Sequence, residues 1–190
     1  MVKRLLFTGP LVFALAFAIP AHADTIYTAT LLGSNEVPPT TSLATGFGTF
    51  TLNGNLLSIN ESFTGLTTPA NAAHIHCCGP VGVNEMVAVP FTPFPNTTSG
   101  SFMSTVDLSL AGTYTAAFIT QEGGTVALAE AGFIAALNDG TSYANIHSVT
   151  FPGGEIEGQI FQVTPEPASL LLLGMGLIVA VHVVRRRIRA

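Results

Sequence analysis

The chain has 190 residues, with 6 Lys or Arg, 11 Asp or Glu and 5 His, for a formal net charge of −5. All the bases (Lys3, Arg4, Arg185, Arg186, Arg187 and Arg189) sit at the two ends, so the 180 residues from Leu5 to Val184 contain no Lys or Arg. Nucleic acid is thereby excluded as a partner, because nothing in that stretch can neutralise phosphate. At the front, Lys3 and Arg4 precede an apolar run from Leu11 to Ile19, and Ala21-His22-Ala23 supplies the small-x-small pattern of a signal-peptidase site. Residues 1–23 are expected to be a signal peptide, with the mature chain starting at Asp24.

Residues 24–163 are long enough for one domain with its own core. This stretch carries ten acids and no base, so anionic ligands are repelled and cations are favoured. Its apolar residues alternate in short runs, which predicts strands at Thr25 to Leu32, Gly46 to Leu52, Leu56 to Thr64, Ala70 to Cys77, Met86 to Val89, Ser101 to Leu108, Ser142 to Thr150 and Glu155 to Val163. Asn53-Gly54-Asn55 reads as a tight turn between the second and third. Thr125 to Asn138 breaks the pattern: it is Ala-rich, has apolar residues at helical spacing, begins with a Thr cap and is followed by Gly140. Thr113 to Thr120 reads equally as a helical turn or a strand. The expected fold is mainly β, an antiparallel β-sandwich or barrel with one short helix inserted.

At the back, Ala168 to Val184 is a 17-residue apolar run that ends in Arg185, Arg186 and Arg187. A helix of that length spans roughly 25 Å, the short end of a membrane crossing, and the basic cluster holds its end in the cytoplasm. Before it stands Pro165-Glu166-Pro167. The order of Pro-Glu-Pro, apolar helix and Arg cluster resembles the PEP-CTERM sorting signal of Gram-negative bacteria. That resemblance implies an inner-membrane anchored precursor over residues 164–190, processing by an exosortase-type enzyme, and a final location at the cell surface or outside the cell.

The histidines carry the most chemistry. In a strand, His74 and His76 point to one side and Ile75 to the other. His147 is the sole remaining histidine of the domain. A hairpin through Phe151-Pro152-Gly153-Gly154 that sets His147 opposite Glu157 would put Tyr143, Asn145, His147, Glu155, Glu157 and Gln159 on one face. His74, His76 and His147, with Cys78, Glu155 or Glu157 in reach, make a ligand set for Cu or Zn. The same imidazoles can instead form a hydrogen-bonded seam without metal. For Cys77 and Cys78, three outcomes compete: a vicinal disulfide, bridges between molecules, or thiolate ligation. The first is favoured in an oxidising compartment, although adjacent Cα atoms lie nearer than usual for a bridge.

Leu32-Gly33-Ser34-Asn35-Glu36-Val37-Pro38-Pro39, Ala73-His74-Ile75-His76, and Tyr143-Ala144-Asn145-Ile146-His147 followed by Phe151-Pro152-Gly153-Gly154-Glu155-Ile156 together resemble the CHRD domain, named after chordin, over Ile26 to Phe161. The resemblance implies an extracellular β-rich domain, and it gives context more than activity. Two positions depart from it: the family usually has Arg where Glu157 stands and commonly Gly where Cys77 stands. A dismutase-type dimetal site needs about six histidines and an aspartate, and this domain has three histidines. Two expectations follow. One is a non-catalytic surface module associated with extracellular polysaccharide or biofilm matrix, and the other is a Cu or Zn metalloprotein or single-site metalloenzyme. Binding of a protein partner, as chordin does, is a third reading.

Overall fold

The computed structural model describes residues 24–163. The expected signal peptide and the sorting segment, with Pro165, Glu166, Pro167 and the Arg185 to Arg187 cluster, lie outside the described residues. The strands are β1 (Thr25–Leu32), β2 (Thr45–Asn53), β3 (Leu56–Thr64), β4 (Ala70–Cys77), β5 (Met86–Pro90), β6 (Gly100–Asp107), β7 (Ser142–Ser148), β8 (Ile156–Gln159) and β9 (Phe161–Gln162). They form one antiparallel sheet in the order β5-β4-β7-β8-β1-β2-β3-β6, with β9 also pairing β1. Two α-helices, α1 (Ala116–Gln121) and α2 (Val126–Asp139), lie between β6 and β7. Among the described residues no helix is long and apolar enough to cross a membrane.

One expectation is narrowed here and one corrected. Of the two expected architectures, sandwich and barrel, the strands come nearer the second: they make a single curled sheet, a half-barrel, because the hydrogen-bonded path runs unbroken from β5 to β6. The gap between these two edge strands is crossed by chain instead of a ladder. Residues Thr97 and Thr98 accept from the amides of Ala70 and Leu66, while Thr115 bonds Val87 and Ala88 of β5. Stacked Phe91 and Phe102, with centroids 4.9 Å apart, fill the space behind, and Phe63 and Phe94 extend the stack at 5.3 Å. The correction is that two helices stand where one was expected. Thr115 caps α1 by accepting from Phe118 N, which drives Phe118 into the core.

The helix read from sequence forms as α2. Thr125 accepts from Leu128 N at one end, and Gly140 takes the left-handed conformation, φ 67°, at the other. Ala129, Phe133, Ala136 and Leu137 make its buried stripe at helical spacing. Its end is tied to the sheet where the Tyr27 hydroxyl donates to Asn138 Oδ1 at 2.7 Å.

Alternation decides which side chains line the concave interior. In β1 these are Tyr27, Ala29 and Leu31, in β4 Ala73, Ile75 and Cys77, and in β7 Ala144 and Ile146, all buried. In β3 the same parity takes Leu57, Ile59 and Phe63 inside and carries Glu61 with them. Glu61 pairs with Gly48 on one side and Phe102 on the other, and neither of its carboxyl oxygens has a hydrogen-bond partner. With no base to pair it, burial raises its pKa to about 8, and it stays protonated at neutral pH.

That proton makes stability fall with rising pH. Between the ordinary value of 4.5 and about 8 the folded state keeps a proton that the unfolded chain has released. The loss reaches at most about 1.4 kcal/mol per pH unit. Glu61→Gln is expected to remove this slope, so denaturant midpoints of wild type and variant should diverge between pH 5 and 8.5. Parallel pH profiles for the two proteins would mean that the carboxyl is hydrated in solution.

Candidate metal centre

The period of two in β4 sends His74 and His76 to the convex face and Ile75 to the core. Strand β7 lies beside β4 in a register that sets Asn145 opposite His74, Tyr143 opposite His76 and Ala72 opposite His147. The three imidazoles therefore come together, with one ligand nitrogen of each within 4.8 Å of the other two. Ring centroids are 4.6 Å apart for His74 and His147, and 4.9 Å for His74 and His76.

Backbone carbonyls fix two of the rings. His76 Nδ1 donates to Glu85 O at 2.7 Å and His147 Nδ1 donates to Pro152 O at 2.9 Å, since a carbonyl can only accept. Each bond leaves the Nε2 lone pair of a neutral ring free to bind. His147 Nε2 is buried without a hydrogen-bond partner, and His76 Nε2 meets His74 Nδ1 at 3.1 Å. Two nitrogens bound at about 2.0 to 2.1 Å in tetrahedral geometry lie about 3.3 Å apart. The spacing of the pair thus matches that of ligands to one ion, and a metal would take the place of the single proton now shared between them.

The loop before β5 completes the enclosure. Tyr143 stacks on His76 with centroids 4.6 Å apart and planes 5° from parallel, and its hydroxyl accepts from Glu85 N at 3.0 Å. Glu85 therefore grips both residues through its backbone. Burial, followed by the neighbouring His147 and His76, lowers the pKa of His74 to about 3. Burial also lowers His76 and His147, each partly offset by its carbonyl bond. All three rings are neutral at pH 7, the state that metal binding requires.

The other expected ligands lie elsewhere. Cys78 is joined to Cys77 in a disulfide, with Cys77 in the core. Glu155 turns away from the histidines, where Oε1 accepts from Ser42 Oγ, Thr67 N and Thr67 Oγ1 at 2.7, 2.7 and 2.9 Å. Burial alone would raise its pKa, but these bonds and one to Ser148 hold it below the ordinary value. The hairpin register also differs from expectation by two residues: Asn145, not His147, pairs with Glu157. The cause is the turn, where Ser148 and Gly154 amides both bond Phe151 O and lengthen the connection. A shift of two keeps the same face, so Tyr143, Asn145, Glu157 and Gln159 remain neighbours.

Glu36 joins this face without having been expected there. It is buried, it accepts from Asn145 Nδ2 at 3.4 Å, and it lies over Gly154, where a Cβ would collide with its carboxylate. Burial, then the nearby Glu157, raises Glu36 to about 8, while burial raises Glu157 to about 7. The signal in the sequence was a lone acid inside a Gly-, Ser- and Pro-rich loop, Leu32 to Pro39.

Lowered histidine pKa values make the metal-free domain acid-sensitive. His74 keeps its neutral form down to about pH 3, whereas the unfolded ring protonates near 6.5, so stability is lost as pH falls through that window. In the apo protein the His74 ring resonance should stay constant from pH 8 to 5. A titration midpoint near 6.5 by NMR would place the ring in open solvent.

Residues 27–160 match the CHRD domain and residues 163–188 match the PEP-CTERM protein-sorting motif. Neither a curated protein nor a solved structure matches the chain. The motif marks an exported protein that an exosortase-type system sorts to the cell surface of a Gram-negative bacterium. With its β-rich half-barrel and a match over more than two thirds of its length, the chain belongs to the CHRD domain family.

Proposed function

We propose that this surface-sorted CHRD protein is a non-catalytic module that binds one transition-metal ion through His74, His76 and His147. The observation that carries the reading is the convergence of three neutral imidazoles, two of them fixed through Nδ1 by backbone carbonyls. Three nitrogen ligands suit Cu or Zn and leave a further position for water or a small ligand. That open position is what favours a second reading, a single-site metalloenzyme. The acidic domain raises the local concentration of cations and so assists capture.

Metal content measured on protein purified without chelator, before and after dialysis against EDTA, tests the proposal. At a free metal concentration of 100 times Kd, binding adds about 2.7 kcal/mol, or roughly 10 °C in melting temperature for a domain of this size. His147→Gln is expected to abolish that gain while leaving the metal-free melting curve close to wild type. An unchanged melting curve on adding and removing Cu and Zn would leave the cluster as a hydrogen-bonded seam.

Export follows from the two ends. Residues 1–23 direct secretion and are removed by signal peptidase, and the apolar segment 168–184 holds the precursor in the inner membrane until an exosortase-type enzyme cuts near Pro165. Replacing Pro165, Glu166 and Pro167 together by Ala is expected to leave uncut precursor in the inner-membrane fraction. A mature mass equal to that of wild type would show that processing does not read these residues.

A further inference from the structure

A groove of about 430 Å³ opens on the convex face, beside the histidine cluster. Its floor is Thr28 and Thr30 of β1, Glu157 and Gln159 of β8 and Phe161 of β9, and Asn35 stands at its wall. The register explains the assembly: Leu32 pairs with Glu157 and Thr28 with Phe161, so all five floor residues face outward. The tip of the loop before β5, Val81 and Gly82, closes the other side.

The polar atoms left to a ligand include both acceptors and donors. Asn35 Nδ2 is spent on Thr30 O at 3.3 Å and Glu157 O at 3.1 Å, which leaves its Oδ1. Gln159 Nε2 gives one of its two hydrogens to Gly140 O at 2.7 Å, which leaves the other and the Oε1 acceptor. Glu157 lines the groove but is only 6% exposed, and its Oε2, without a hydrogen-bond partner, is buried beneath the floor out of a ligand's reach. The Thr28 and Thr30 hydroxyls can donate or accept. Phe161 rests its ring against Gly140, where a Cβ would meet it at 2.9 Å, and remains 54% exposed.

A ligand for this groove must both donate and accept hydrogen bonds and bring an apolar face, and it must not be an anion, because residues 24–163 hold no Lys or Arg. We infer that the groove binds a neutral saccharide, with sugar hydroxyls donating to Asn35 Oδ1 and Gln159 Oε1 and accepting from Gln159 Nε2, and a ring face stacked on Phe161. The volume takes a sugar unit or two, far more than an ion needs. Adjacent strands lie about 4.8 Å apart, so the floor begins about two strands from His76 and the groove is a separate site from the metal centre.

The test is native affinity electrophoresis of the mature protein through gels containing dextran, mannan, xylan, galactan or a soluble cellulose derivative, with dextran sulfate as the anionic control. At least one neutral polymer is expected to retard the protein, equally with or without EDTA, while dextran sulfate does not. Phe161→Ala should weaken the retardation about tenfold, the scale of a lost stacking contact. Thr30→Trp, at an exposed position, should block it without lowering the melting temperature. Retardation by none of the neutral polymers would overturn the inference. So would equal retardation of wild type, Phe161→Ala and Thr30→Trp, or retardation by dextran sulfate alone.

Discussion

A carboxylate taken out of water usually finds an ammonium or guanidinium beside it, and residues 24–163 contain neither. Each buried acid of this domain has had to find another solution, and the solutions differ. Glu155 keeps its charge because hydroxyls and an amide from two loops converge on one oxygen. Glu61 gives up its charge, since nothing around it in the core can donate. Glu36 and Glu157 stand between these cases, close enough for the charge of one to raise the pKa of the other. Histidine is the only remaining base, and its buried rings are held neutral as well. The interior is thus nearly uncharged at neutral pH although the chain is acidic.

The same shortage explains why backbone groups do so much of the positioning. His76 and His147 are oriented by carbonyls of Glu85 and Pro152, and the Tyr143 hydroxyl by the Glu85 amide. In metal sites a carboxylate often holds the second ring nitrogen of a histidine ligand, and it would add charge to a ligand set. A carbonyl fixes the tautomer without doing so. The loops that supply these carbonyls are themselves anchored: Asn84 donates to Val37 O at 2.7 Å, which joins the loop before β5 to the loop that carries Glu36. The convex face is therefore covered by two interlocked loops, and the histidines and Glu36 owe their burial to that cover.

Much of this was legible in the sequence, and the reasons are local. Strands β1, β3 and β4 have the boundaries that alternation predicts, and helix α2 has the Thr125 cap and Gly140 stop that its ends announce. The pairing of His74 with His76 follows from the period of two alone. What was hidden depends on contacts distant in the chain. The turn after Ser148 shifts β8 by two residues through bonds to Phe151 O, which periodicity cannot register. Glu155 looked like a free carboxylate on a polar face, because its donors Ser42 and Thr67 lie about 90 to 115 residues away. The parity of β3 carries Glu61 to the inner face with Leu57, Ile59 and Phe63. Its significance needed the observation that no partner reaches it.

Position 157 brings these constraints together. The family resemblance puts Arg there, beside Glu36, where an ion pair would satisfy both groups and fill the space with a long side chain. Glu in its place turns an attraction into a repulsion, which protonation relieves. The shorter side chain also leaves room above β8, and the groove lies there, with the Glu157 carboxyl in its floor. Glu at this position therefore adds to the raised pKa of Glu36, whose larger cause is burial, and it leaves an unsatisfied oxygen in a buried side chain where an Arg would supply a cation. An Arg at this position would present donors to the same groove, and the class of ligand that fits would change from polyol to anion.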